Sequence, residues 1–197
     1  MICLGVLAAS VAQANQAVTL LDTGVTNGLN GPWTLGFGFT PSSNINVTSL
    51  GSFAPSSSYT REIGIWDMSG TLLMEGQVTG AESVVNFFNF TTAITTHTGA
   101  GTSLMGGTSY VVGATALNGD GTWSFAPNFT VDSGISYNGI SYAAGGSLTF
   151  PTVVDTRAVS YFGGNFTFDK GTPTTPSPAA ILPFIGGLLG AARRRLK

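Results

Sequence analysis

Three groups of residues carry side chains that could do chemistry, and each offers a different kind. His97 is the chain's single histidine and stands in Thr95-Thr96-His97-Thr98. A hydrolase would also need a nucleophile on a strained turn, and the sequence contains no Gly-x-Ser-x-Gly elbow. His97 therefore reads as a solvated loop or strand-end residue, no catalytic residue is expected, and the chain does not read as an enzyme. Asn118-Gly119-Asp120-Gly121 places oxygen ligands on a turn but lacks the repeated acidic positions of a calcium loop. It reads as a plain turn, and neither a metal nor a cofactor is expected. The third group lies in Glu62-Ile63-Gly64-Ile65-Trp66-Asp67. If Ile63 and Ile65 face the core, alternation turns Glu62, Gly64 and Trp66 to the opposite face, where the indole could stack on a sugar beside Glu62. The competing reading has a loop or a second sheet covering that ring.

The elements that must position these residues are strands. In Trp33 to Phe39 the odd positions Trp33, Leu35, Phe37 and Phe39 are apolar and alternate with Thr34, Gly36 and Gly38, the period of a half-buried strand. Trp33 is accordingly expected in the core. Further strands are expected at Ile45–Phe53, Arg61–Asp67, Thr71–Thr79, Val84–Phe90, Thr108–Leu117, Ile135–Tyr142 and Tyr161–Phe168, with Met68-Ser69-Gly70 as a hairpin turn. Many short strands without a sustained helical period indicate an all-β fold, a β-sandwich of jelly-roll type. From Asn15 to Thr175 nine acidic residues face three basic ones, Arg61, Arg157 and Lys170. That balance excludes nucleic acid as a partner. The abundance of Gly, Ser, Thr and Asn suits an extracellular β-protein with many turns.

Both ends of the chain read as export signals. At the N-terminus, Ile2 to Val11 is largely apolar and Ala12-Gln13-Ala14 has the small-x-small pattern of a signal-peptidase site, so cleavage before Asn15 is expected. No Lys or Arg precedes this run, so either the natural start lies upstream of Met1 or the signal is a weak one. Cys3 is the only cysteine, and its place in the leader leaves a mature chain with no internal disulfide. At the other end an apolar run of 14 residues, Ala179 to Ala192, follows Pro176-Ser177-Pro178-Ala179 and leads into Arg193-Arg194-Arg195-Leu196-Lys197. As a helix this run spans roughly 21 Å against a hydrocarbon core of about 30 Å. Pro183, Gly186, Gly187 and Gly190 weaken it further. A short membrane helix that is later processed fits better than a lasting anchor. Arg193, Arg194, Arg195 and Lys197 resist translocation and act as the membrane stop. The expected organisation is a signal peptide at 1–14, a β-sandwich at 15–169, a linker with a sorting motif at 170–178, and an apolar helix with a basic tail at 179–197.

A proline motif, an apolar helix and terminal arginines, paired with a signal peptide, resemble the PEP-CTERM class of exported bacterial proteins. Pro176-Ser177-Pro178-Ala179 departs from the usual Pro-Glu-Pro and is more similar to the Pro-Thr-Pro-Ala variant of cyanobacteria. The resemblance implies export machinery and an exosortase-like protease as partners, with tail removal in organisms that make exopolysaccharide. In a bacterium, the Asn-x-Thr triplets opened by Asn46, Asn89, Asn128 and Asn165 reflect strand and turn composition rather than glycosylation. The body resembles an uncharacterised domain recurring in exported bacterial proteins. Glu62-Ile63-Gly64-Ile65-Trp66-Asp67 with Gly70-Thr71-Leu72-Leu73, Gly107-Thr108-Ser109-Tyr110-Val111-Val112-Gly113, and Tyr161-Phe162-Gly163-Gly164-Asn165-Phe166 carry that resemblance. The expected function is a non-enzymatic protein of the cell surface or extracellular matrix, transiently anchored in the inner membrane. The alternative is a carbohydrate-binding module acting on exopolysaccharide.

Overall fold

The computed structural model describes residues 14–21, 31–53, 60–79, 84–85, 87–117, 128–155 and 162–170. Among these the chain forms strands only: β1 (Asn15–Gln16), β2 (Val18–Leu20), β3 (Trp33–Pro41), β4 (Ile45–Phe53), β5 (Thr60–Asp67), β6 (Leu72–Thr79), β7 (Val84–Val85), β8 (Phe88–Thr91), β9 (Thr95–Thr96), β10 (Ser103–Leu104), β11 (Tyr110–Ala116), β12 (Phe129–Val131), β13 (Ile135–Ala144), β14 (Val153–Asp155) and β15 (Gly164–Lys170). The larger sheet has the order β14-β13-β3-β11-β5-β6-β9 and the smaller β1-β15-β4-β8-β7, with β10 also on β4; β2 and β12 pair separately.

The two larger sheets share one core, as the alternation requires. Phe37, Phe39, Ile63, Ile65, Met74 and Val112 from the larger sheet are buried in one cluster with Val47, Leu50, Phe166 and Phe168 from the smaller. Phe39 and Phe166 meet across the interface with ring centroids 4.6 Å apart. On β4 the apolar residues Ile45, Val47 and Leu50 do not share one parity. A bulge reconciles them: Phe168 pairs with Val47 and Thr167 with Ser49, leaving Thr48 as the extra residue. The bulge restores the inward face for Leu50.

Glycines set how closely the sheets approach. Gly113, in the middle of β11, is opposed by Gly36 on β3 and Gly64 on β5. The start of β15 crosses over this spot, and a Cβ built on Gly164 would lie 2.7 Å from the Gly113 carbonyl carbon. Only a glycine allows the two backbones that contact. The neighbouring Gly163 sits on Leu35 in the same way, with its Cβ position 2.7 Å from the Leu35 Cβ.

Trp33 departs from expectation. It lies beyond this crossing and packs edge-on against Tyr142, 5.8 Å away, in a satellite cluster with Leu35 and Ala116. It is partly exposed rather than a core residue. The stretch Val84–Phe90 also differs, because it is a hairpin and not one strand. Val85 pairs with Phe88, and Phe87 adopts the left-handed conformation, φ 70°. The short strands β1, β2, β9, β10, β12 and β14 had no counterpart in the periodicity.

The first strand closes one flank of the molecule. β1 pairs with β15, and after Ala17 the chain passes into β2, which pairs with β12. Phe129 of β12 packs against Tyr137 and Phe162. Fully buried Asn165 holds this junction: its Nδ2 donates to Val18 O at 2.7 Å, and its Oδ1 accepts from Val18 N at 3.2 Å and Phe166 N at 2.9 Å. Replacing one partner of such bonds strands the others away from water, at about 1–3 kcal/mol for each group left unsatisfied. Asn165→Ala is therefore expected to destabilise the protein by about 2 kcal/mol or more and to accelerate amide exchange at Val18; unchanged exchange there would refute this role.

Among the described residues, strand pairing begins at Asn15, opposite Phe168, and ends at Lys170, opposite Ile45. Lys170, expected as the first residue of the linker, is a strand residue of β15. Ala12 of the expected cleavage site, the linker from 171, the sorting motif Pro176, Ser177, Pro178 and Ala179, and the stop residues Arg193, Arg194, Arg195 and Lys197 lie outside the described residues, as does Asn118-Gly119-Asp120-Gly121. Among the described residues no helix is long and apolar enough to cross a membrane.

Candidate functional site

The outer face of the larger sheet, where alternation directs Glu62 and Trp66, is built around the β5–β6 hairpin. Met68-Ser69-Gly70 forms the turn, as its composition requires. Gly70 N donates to Asp67 O at 3.1 Å, and Gly70 takes a positive φ of 86°. The Asp67 carboxylate accepts from Ser69 N, Ser69 Oγ and Thr71 N at 2.7–2.9 Å. These bonds, led by that of the Ser69 hydroxyl, hold its pKa below the usual carboxylate value because they favour the ionised form.

Trp66 does face away from the core, but it is covered. The indole lies across Gly64, whose Cβ position is 2.7 Å from the ring and 2.9 Å from Leu72 Cδ1. Phe150 packs on it with ring centroids 6.2 Å apart. Trp66 is only 3% exposed. An indole in this state presents no face to a sugar, so the expected stacking role of Trp66 is corrected to a packing role.

The cover is the segment from Gly145 to Pro151, which runs over the sheet as a strap. Its backbone is tied down at several points: Gly145 N donates to Pro32 O at 3.0 Å and Thr149 N to Thr34 Oγ1 at 3.1 Å. Leu148 N donates to Glu62 Oε2 at 3.2 Å. Glu62 is exposed, but its carboxylate is engaged in holding the strap. Phe150 rests 3.0 Å from the Cβ position of Gly70, and Pro151 rests 3.1 Å from that of Gly113. Glycines therefore recur beneath the cover because each gives a ring room to seat. The sequence signal for the strap is Gly145-Gly146-Ser147 after a long strand, followed by Phe150-Pro151.

Beside the strap a cavity of about 250 Å³ opens between Met68, Val111, Phe150 and Val154 over bare Gly38. Met68 and Val154 are 57% and 56% exposed. Its polar wall consists of Ser109, Asn138, Ser141 and Thr152, side chains that can hydrogen-bond a ligand but carry no charge.

His97 follows β9 at the edge of the larger sheet, exposed as expected. Its Nε2 is 3.1 Å from Glu75 Oε1. Of the Asn-x-Thr triplets, Asn89 and Asn165 are buried, whereas Asn46 is exposed and accepts from Ser103 Oγ at 2.6 Å. Among the described residues no group of three or more His, Cys, Asp or Glu side chains converges in a metal-binding arrangement. No family model, curated protein or solved structure matches the chain. The functional reading consequently rests on the residues themselves.

Proposed function

We propose that this chain is an exported bacterial protein of the cell surface or extracellular matrix, delivered by an N-terminal signal peptide and a C-terminal PEP-CTERM-like sorting tail, with no catalytic role of its own. The observation that carries the proposal is the ordered pattern of the tail: Pro176-Ser177-Pro178-Ala179, an apolar run, then Arg193-Arg194-Arg195. The limits of the folded body support it. Among the described residues, pairing starts at Asn15, the residue after the expected cleavage site, and Lys170 is the last paired residue. Because β1 lies antiparallel to β15, Asn15 and Lys170 lie at the same end of that sheet.

The residues that carry the resemblance of the body support a structural role for it. Trp66 covers Gly64, Gly113 and Gly164 let the sheets touch, and Tyr110 Oη accepts from Met105 N at 3.0 Å. We assign the domain a jelly-roll-like architecture in the limited sense that its first and last strands are neighbours in one sheet; the β5–β6 hairpin inside the other sheet is an added feature.

Arginine at a bilayer centre costs about 2.5 kcal/mol or more per residue. Replacing Arg193, Arg194 and Arg195 with glutamine is therefore expected to let the tail slip through, so that unprocessed or prematurely released protein accumulates. Cell fractionation with immunoblotting of the native host tests this. Unchanged processing and unchanged location in the triple variant would overturn the stop function.

A further inference from the structure

A second face of the molecule has the composition of a binding site, and it is not the face of Trp66. On β15, Phe166 and Phe168 point into the core, so Thr167 between them points to the outside of the smaller sheet. There Thr167 Oγ1 bonds Thr48 Oγ1 at 2.7 Å and also Ser49 Oγ. The hydroxyls of Thr167 and Ser49 line a cleft of about 700 Å³, together with Thr19, Thr130, Asp132 and Phe90. The volume is within the range of ligand-sized clefts, about 300–1,000 Å³. Asp132 is held in place, its Oδ1 accepting from Gly134 N at 2.7 Å.

Phe90 is the one aromatic ring in this lining, and its seat is specific. It pairs with Gly51 on β4, and a Cβ on that glycine would overlap the ring. The ring therefore rests on bare backbone, half-buried. Phe90 also lines a second cleft of about 250 Å³ with Gln77, Thr79 and Thr91. An aromatic ring thus stands between two recesses whose other walls are mostly hydroxyl and amide side chains.

We propose that these two clefts form a subsite for a neutral polysaccharide chain, with one sugar ring stacked on Phe90 and its neighbours hydrogen-bonded in the recesses on either side. Hydroxyl and amide side chains donate and accept equally well, which matches a ligand whose surface is hydroxyl groups. The ring supplies the apolar face that sugar C–H groups require. A carboxylate at Asp132 and an excess of acidic over basic residues from 15 to 175 repel anionic glycans and nucleic acid. The polar lining gives a lipid chain little to bind.

The proposal is independent of the sorting reading, because it is decided by a binding isotherm rather than by location or processing. The full chain is titrated calorimetrically with neutral hexasaccharides of β-1,4-glucan, β-1,3-glucan and α-1,4-glucan, and with hexagalacturonate as the anionic control. At least one neutral hexasaccharide is expected to bind and the anionic one not. Phe90→Leu, which keeps apolar bulk without a stacking face, is expected to weaken binding about tenfold. Thr130→Val, at an exposed position, should weaken it severalfold without lowering the melting temperature, and this variant decides the matter if Phe90→Leu fails to fold. No binding of any neutral hexasaccharide, tighter binding of hexagalacturonate, or unchanged affinity in a folded variant would overturn the proposal.

Discussion

Gly164→Ala is expected to destabilise the domain by about 1–3 kcal/mol, and Gly164→Val by more. The Cβ of either residue would stand 2.7 Å from the carbonyl carbon and 2.8 Å from the Cα of Gly113, both backbone atoms that cannot rotate aside. Relief requires the two sheets to separate locally, which parts contacts such as that of Phe39 with Phe166. Because the strain sits at the β11–β15 crossing, compensation at another surface position should not restore stability. Urea denaturation of wild type and variant measures this as a lowered midpoint at constant slope. An unchanged midpoint for Gly164→Val would mean that the sheets do not meet there.

Trp66→Ala carries the second large effect, about 3–5 kcal/mol for removing a buried indole. The loss has two sources: burial of the ring itself, and the gap left between Gly64, Leu72 and Phe150, which the tethered strap cannot close. Trp66→Phe, retaining part of the ring, should lose less. If the indole were instead a sugar platform, Trp66→Ala would leave stability nearly intact and abolish glycan binding. Thermal unfolding of the alanine variant separates these outcomes.

The sequence revealed the long strands through alternation, since a period of two is a direct consequence of strand geometry. Trp33–Phe39, Ile45–Phe53 and Arg61–Asp67 all lie within observed strands. Trp66 shows where such reasoning stops. Its face was legible from parity, but its burial depends on a strap 79 to 85 residues further along the chain, and no local pattern announces which loop covers which ring. Trp33 shows the converse. Its parity matched that of Phe37, yet the smaller sheet crosses at Leu35 and leaves Trp33 at the rim. Phe90 did not stand out in the sequence because its surroundings are non-local: Gly51 comes from β4, Thr19 from β2 and Asp132 from the turn after β12. Gly113 and Gly163-Gly164 were visible as motif, and the structure supplies a physical reason at the sheet crossing, where a side chain on Gly163 or Gly164 would not fit.

Intact-mass analysis of the protein recovered from the outside of its native host tests the export account most directly. The account predicts a polypeptide that begins at Asn15 and ends near Pro176 to Ala179, with both the leader and the arginine tail removed. A cytoplasmic protein whose mass still includes Lys197 would contradict it.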